Sequence, residues 1–123
     1  MTEQELNSLT EKIIGCAFQV SNTLGSGFLE KVYENALAIE LRKNGLDFQQ
    51  QSKIKVHYDG EIVGEYYADI IVSETVILEL KAVQEISNAF TAQCLNYLKG
   101  TGLPICLLLN FGRPKMEIKR FRL

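Results

Sequence analysis

Three charged side chains sit on two otherwise apolar strands in the stretch Y-A-D-I-I-V-S-E-T-V-I-L-E-L-K, from Tyr67 to Lys81. Asp69 to Ser73 and Thr75 to Lys81 are β-branched and aliphatic, with Ser-Glu-Thr between them as a turn. A hairpin centred on Glu74 pairs Val72 with Val76, Ile71 with Ile77, and Asp69 with Glu79. Because side chains alternate along a strand, Asp69, Glu79 and Lys81 then project together. A slip of one residue would send Asp69 and Glu79 to opposite faces, so the chemistry depends on this register. Opposed Cβ atoms stand about 4.5–5.5 Å apart. Two carboxylates at that range repel by roughly 3 kcal/mol at an effective dielectric near 20. A shared proton, the neighbouring Lys81 or a divalent cation would offset the repulsion. Oxygen ligands beside a lysine favour an ion of the magnesium type. An ordinary edge hairpin would simply turn its charges to solvent. Against that reading, Ile70, Val72, Val76, Leu78 and Leu80 make one face apolar, and Ile71 and Ile77 the other.

The rest of the chain must hold this hairpin. Leu6, Leu9, Ile13, Ala17, Val20 and Leu24 form an apolar stripe that predicts a helix from Glu3 to Leu24. Gly25-Ser26-Gly27 interrupts it. A second helix is expected from Phe28 to Asn44, with Leu29, Tyr33, Ala36, Leu37 and Leu41 inward and Gly45 as its stop. Strands are predicted at Gln49–Tyr58 and Glu61–Ser73, joined by an Asp59-Gly60 turn, and at Thr75–Ala82. A third helix spans about Ser87 to Lys99, capped by Ser87 or Asn88. A buried strand, Ile105 to Asn110, follows Gly100-Thr101-Gly102, and a short strand is expected near Met116–Phe121. The order α, α, β, β, β, α, β, β predicts an α/β sandwich, three-layer-like, with a central mixed β-sheet flanked by helices.

Composition bounds the function. A chain of 123 residues with 46% hydrophobic and 23% charged side chains makes one domain with a single respectable core. No apolar run approaches the length of a membrane span, and the start M-T-E-Q-E-L is no secretory signal. Cys16, Cys94 and Cys106 are widely spaced in apolar segments, which predicts buried free thiols in a reducing cytoplasm. One histidine, His57, and no close cysteine pair argue against zinc. The net charge of −2 gives no global attraction to nucleic acid. At the C-terminus, however, Arg113, Lys115, Lys119, Arg120 and Arg122 face only Glu117, a segment able to contact phosphates or to remain a solvated tail.

Two further features accompany the hairpin. Gly27-Phe-Leu-Glu30-Lys-Val-Tyr33 places a carboxylate in the first turn of a helix, with Tyr33 one turn later. The helix dipole alone would favour an acid there. No Gly-Lys-Ser/Thr follows the Gly-Ser-Gly, which argues strongly against a P-loop. Gln93 and Tyr97 lie four apart on one face of the third helix.

Asp69, the Glu79-Leu-Lys81 triplet and Gln93-x-x-x-Tyr97 together resemble the PD-(D/E)XK nuclease superfamily. The Gly27-x-x-Glu30-x-x-Tyr33 signature, with Asn110-Phe-Gly112, is similar to its small GxxExxY proteins. The likeness runs from about Leu6 to Gly112, leaving 113–123 as a basic C-terminal strand or tail on a single domain. It implies a restriction-endonuclease-like core and a metal-dependent nuclease. Asp69 and Glu79 would bind Mg²⁺ or Mn²⁺, helped by the Leu80 carbonyl. Lys81 would orient the attacking water, and Glu30 would serve as a further ligand or a general base. Gln93 and Tyr97 would position the phosphate, while Tyr33, Arg113, Lys115, Lys119 and Arg120 would contact substrate, with DNA the favoured partner. Cutting both strands of a duplex would need a homodimer or a larger partner. The chain departs from the pattern at Ala68, where the superfamily name has proline. It departs again at Ser21 and Phe90, where many GxxExxY proteins have histidine. The same fold would also suit a non-catalytic nucleic-acid-binding or protein-interaction module.

Overall fold

The computed structural model describes all residues, 1–123, and the sandwich expected from the sequence is the fold observed. Helix α1 runs over Glu3–Leu24, the predicted span. Thr2 and Glu5 close its first turn with reciprocal side-chain-to-backbone bonds, a capping box. Gly25 and Gly27 take φ of +70° and +113°, which is why glycines break the two helices apart here. Helix α2, Glu30–Lys43, begins two residues later than expected because Leu29 is still extended. Strands β1 (Phe48–Tyr58) and β2 (Glu61–Val72) form the hairpin turned by Asp59-Gly60. Strand β3, Val76–Lys81, is followed by α3, Asn88–Thr101. Ser87 occupies the N-cap position of α3 without a side-chain capping bond. Strands β4 (Ile105–Asn110) and β5 (Glu117–Phe121) complete the chain.

The five strands form one sheet in the order β1-β2-β3-β4-β5. Only β3 and β4 run parallel, joined across the sheet by α3. Strands that lie centrally in parallel are covered on both faces and read as unbroken apolar runs. Accordingly all six residues of β4 are buried. One face packs Ile70, Val72, Leu78, Leu80, Leu107 and Leu109 against α1 and α2. The other packs Ile77, Cys106 and Leu108 against Cys94, Tyr97 and Leu98 of α3. No helix is long and apolar enough to cross a membrane.

Two local devices shape the region around the charged hairpin. The β1–β2 ladder pairs Gln50 with Ile70 and Ser52 with Ala68 but skips Gln51 and Asp69 between them. Gln51 has φ +52°, rare for a side chain of its size. Ile70 packs in the α1–α2 layer and Ala68 in the α3 layer, although residues two apart on a regular strand share a face. The hairpin therefore bends and turns over at Gln51 and Asp69. The second device lies at the end of β4. Asn110 is fully buried: its Oδ1 accepts from the N–H groups of Val83 and Gly112, both at 3.0 Å. Its Nδ2 donates to the Val83 carbonyl at 2.9 Å and to Glu117 at 3.0 Å. Asn110 thus ties the loop after β3 to the turn after β4.

Candidate functional site

The β2–β3 ladder has the register that the alternation of the sequence requires: Val72 faces Val76, Ile71 faces Ile77 and Ile70 faces Leu78. Beyond that point the strands separate, and carboxylates replace the backbone partners. Leu80 N–H donates to Asp69 Oδ2 at 2.8 Å, and Asp69 N–H donates to Glu79 Oε1 at 3.2 Å. Each acid is thus oriented by the strand opposite, with its second oxygen uncommitted to any hydrogen bond in the protein. Glu79 is 3% exposed, whereas Asp69 is half-buried. Burial, and then the charge of Asp69, push the Glu79 carboxyl up to about 8. Asp69 is raised as well, chiefly by burial, against the opposing effect of its bond from Leu80.

Helix α3 covers this pair. Gln93 Nε2 donates to the Tyr97 hydroxyl at 2.9 Å. Burial and the Glu79 charge raise the Tyr97 phenol to about 12, so that its oxygen keeps its proton and acts as a donor. Lys81, half-buried, holds its ammonium 4.5 Å from the centre of the Phe90 ring and has no carboxylate within 4.0 Å. A phenylalanine at this position therefore supplies a cation–π platform for the lysine. The ring of Tyr66, on the bent part of β2, stands 5.9 Å from that of Tyr97 and is 52% exposed.

Other expected participants make no hydrogen bond to this pair, although the charge of Glu30 contributes to raising Asp69. Glu30 is exposed at the start of α2, and no three His, Cys, Asp or Glu side chains gather closely enough to hold a metal ion. Tyr33 is fully buried, which rules it out as a substrate contact. Its ring stacks on Phe111 at 4.7 Å, while its hydroxyl donates to the Gly25 carbonyl at 2.6 Å and accepts from Phe28 N–H at 3.2 Å. The tyrosine pins the loop between α1 and α2. In the basic segment, Arg113 pairs with Glu117 at 3.8 Å, Arg120 bonds Asn7 at 3.1 Å, and Arg122 pairs with Glu3. Arg120 reaches α1, across the sheet from α3, while Lys115 and Lys119 form no ion pair. Ser21 is buried within α1. The acid of α2 that turns inward is Glu34, 4% exposed and bonded by Gln50 and Gln51. The run Gln49-Gln50-Gln51 at the head of a strand was the available sequence signal for that cluster.

Among solved structures, the chain is similar in fold to the crystal structure of SSO0001, with a TM-score of 0.56 and 12% identity. The match covers 75% of this chain and 48% of that one, so the likeness extends over about half of the longer protein. No curated protein matches the sequence. The family comparison is more extensive: residues 7–121, from the first turns of α1 to the end of β5, match the PD-(D/E)XK nuclease superfamily. That span contains the paired acids, the lysine and the covering helix, and by it the chain belongs to the PD-(D/E)XK nuclease superfamily.

Proposed function

We propose that the chain is a metal-dependent nuclease of the GxxExxY kind, a single cytoplasmic domain that hydrolyses phosphodiester bonds in DNA. The observation that carries this reading is the Asp69–Glu79 pair, crosslinked to the opposing strands, with Lys81 two residues further along β3. The acids fit a divalent ion: each has one oxygen uncommitted, and both are held in a setting that disfavours their joint ionisation. Magnesium sites commonly take one or two carboxylates and complete their shell with water and substrate phosphate. Asp69, Glu79 and the Leu80 carbonyl would hold Mg²⁺ or Mn²⁺, which supplies a water of lowered pKa and a polarised phosphate.

The chain's own groups do the rest. Lys81 donates to the attacking water or to a non-bridging oxygen and offsets charge that develops on the phosphate. Phe90 steers that ammonium without competing for its protons. Gln93 occupies one lone pair of the Tyr97 oxygen, leaving the phenolic proton to bond a phosphate oxygen. Lys115 and Lys119, on and beside the strand next to β4, are free to meet the phosphate backbone. Arg113 and Arg120 have internal partners to leave first.

The test is cleavage of end-labelled single-stranded, duplex and branched DNA, and of RNA, in Mg²⁺, Mn²⁺ or EDTA. Metal-dependent cutting is expected, reduced at least about a hundredfold in folded Lys81→Ala and Asp69→Ala. Cutting that is equal in the variants, or absent on every substrate, overturns the proposal. Preference for RNA would correct the substrate alone.

A further inference from the structure

The hairpin bend at Gln51 coincides with the position of Asp69. In its absence β1 and β2 would continue as a regular ladder, and Asp69 would stand as an ordinary pleated residue opposite Gln51. Sharp irregularities in a strand re-aim side chains beside functional sites, and a non-glycine residue held at positive φ persists only where its surroundings enforce it. Here the enforcing group is identifiable. Glu34, on α2, is buried, and its Oε1 accepts from Gln51 Nε2 at 2.9 Å. Its Oε2 accepts from Gln50 Nε2 at 2.6 Å and from Lys31 Nζ at 2.9 Å. Gln50 also donates to Asn35 Oδ1 at 3.0 Å. One carboxylate therefore grips two successive glutamines, the second of them at the left-handed position. The charge of Glu34 also weighs on Asp69 ahead of that of Glu30. A buried carboxylate with three donors is well satisfied, so it is suited to fix backbone.

We propose that Glu34 is a positioning residue that holds the bend through Gln51 and thereby sets Asp69 against Glu79. Its consequence for metal binding rests on the nuclease reading, whereas its consequence for the backbone does not. Two variants separate the elements: Gln51→Gly keeps the left-handed backbone accessible but removes the anchor, and Glu34→Gln keeps the shape but removes the charge. Glu40→Gln, on the same helix but paired with Lys43 rather than with either glutamine, is the control.

Amide hydrogen exchange reads the geometry directly, because the Asp69 and Leu80 N–H groups are held by the Glu79 and Asp69 side chains. Both amides are expected to exchange at least about tenfold faster in Gln51→Gly and Glu34→Gln, with those of Leu107 and Leu109 unchanged. Calorimetric titration with Mn²⁺ should show affinity about tenfold or more weaker in both variants and unchanged in the control, as for other groups that orient metal ligands. Wild-type protection of both amides in a folded variant, or undiminished Mn²⁺ affinity despite lost protection, overturns the inference. If the wild type binds no Mn²⁺, the nuclease reading falls and the exchange rates alone decide the role of Glu34.

Discussion

In EDTA at pH 8, Glu79→Gln is expected to melt about 10 °C or more above the wild type, with no detectable cleavage when metal is restored. The reason is linkage. Glu79 has an ordinary value of 4.5 and is held at about 8 in the folded protein. Between those values the folded state retains a proton that the unfolded chain has released, so the native state binds more protons and stability falls as pH rises. The stabilising contribution is complete below pH 4.5 and gone above about 8. The full extent is on the order of 4–5 kcal/mol, shared with Asp69 because the two acids titrate as a pair. For a domain of this size, that corresponds to ten degrees or more. A glutamine has the same shape, keeps an acceptor for Asp69 N–H and carries no charge to desolvate. Melting curves at pH 5 and pH 8 check this: the wild type should lose stability across the interval and the variant should not. Added Mn²⁺ should raise the wild-type midpoint at pH 8 and leave the variant unmoved. Parallel pH dependence in the two proteins would mean that Glu79 does not carry the strain described.

Gly112→Ala is expected to destabilise the protein by more than about 3 kcal/mol, the largest effect of any glycine-to-alanine change in this chain. An added Cβ would stand 2.3 Å from both the nitrogen and the oxygen of Val83 and 2.6 Å from the Ala82 carbonyl carbon. Those neighbours are backbone and cannot swing aside. Val83 is itself held by the buried Asn110 through both its N–H and its carbonyl, so displacing the loop breaks two part-buried bonds as well. Asn110→Ala should cost a similar amount, since it leaves these groups unpaired in the interior. Gly15 provides the contrast: a Cβ there meets nothing within 4 Å and the backbone is helical, so Gly15→Ala should stabilise by about 0.5–1 kcal/mol. Urea denaturation of the three variants checks the order. The Asn-Phe-Gly run is thus a structural lock on the segment leaving Lys81, whose carbonyl accepts from Phe111 N–H at 2.8 Å.

What the sequence disclosed and what it concealed divide along the range of the interactions. The register of β2 and β3 was legible because a short turn and strict alternation leave one pairing that buries both strands. Helix α1 was legible because a long apolar stripe runs through it, whereas its Thr2–Glu5 capping box became visible only in the fold. The inward turn of Glu34 was not, since its partners lie 16 and 17 residues away on another element. Tyr33 read as a companion of Glu30 because both belong to one motif. The fold separates them, turning the tyrosine into the core and the acid to solvent. The bend at Gln51 carries no glycine or asparagine to announce it. The basic segment was left open between a phosphate contact and a solvated tail, because the partners of Arg120 and Arg122, Asn7 and Glu3, lie at the far end of the chain.

The three buried cysteines divide unevenly between the two faces of the sheet. Cys16 packs among α1 and α2, whereas Cys94, on α3, and Cys106, on β4, lie between α3 and the sheet. A thiol reagent can reach them only when the surrounding layer opens, so the chain carries a built-in reporter on each side of its sheet. Mass-resolved labelling under native conditions can therefore time the two layers separately. One common rate would mark a sandwich that opens as a unit, and two rates would identify the helix that lifts first.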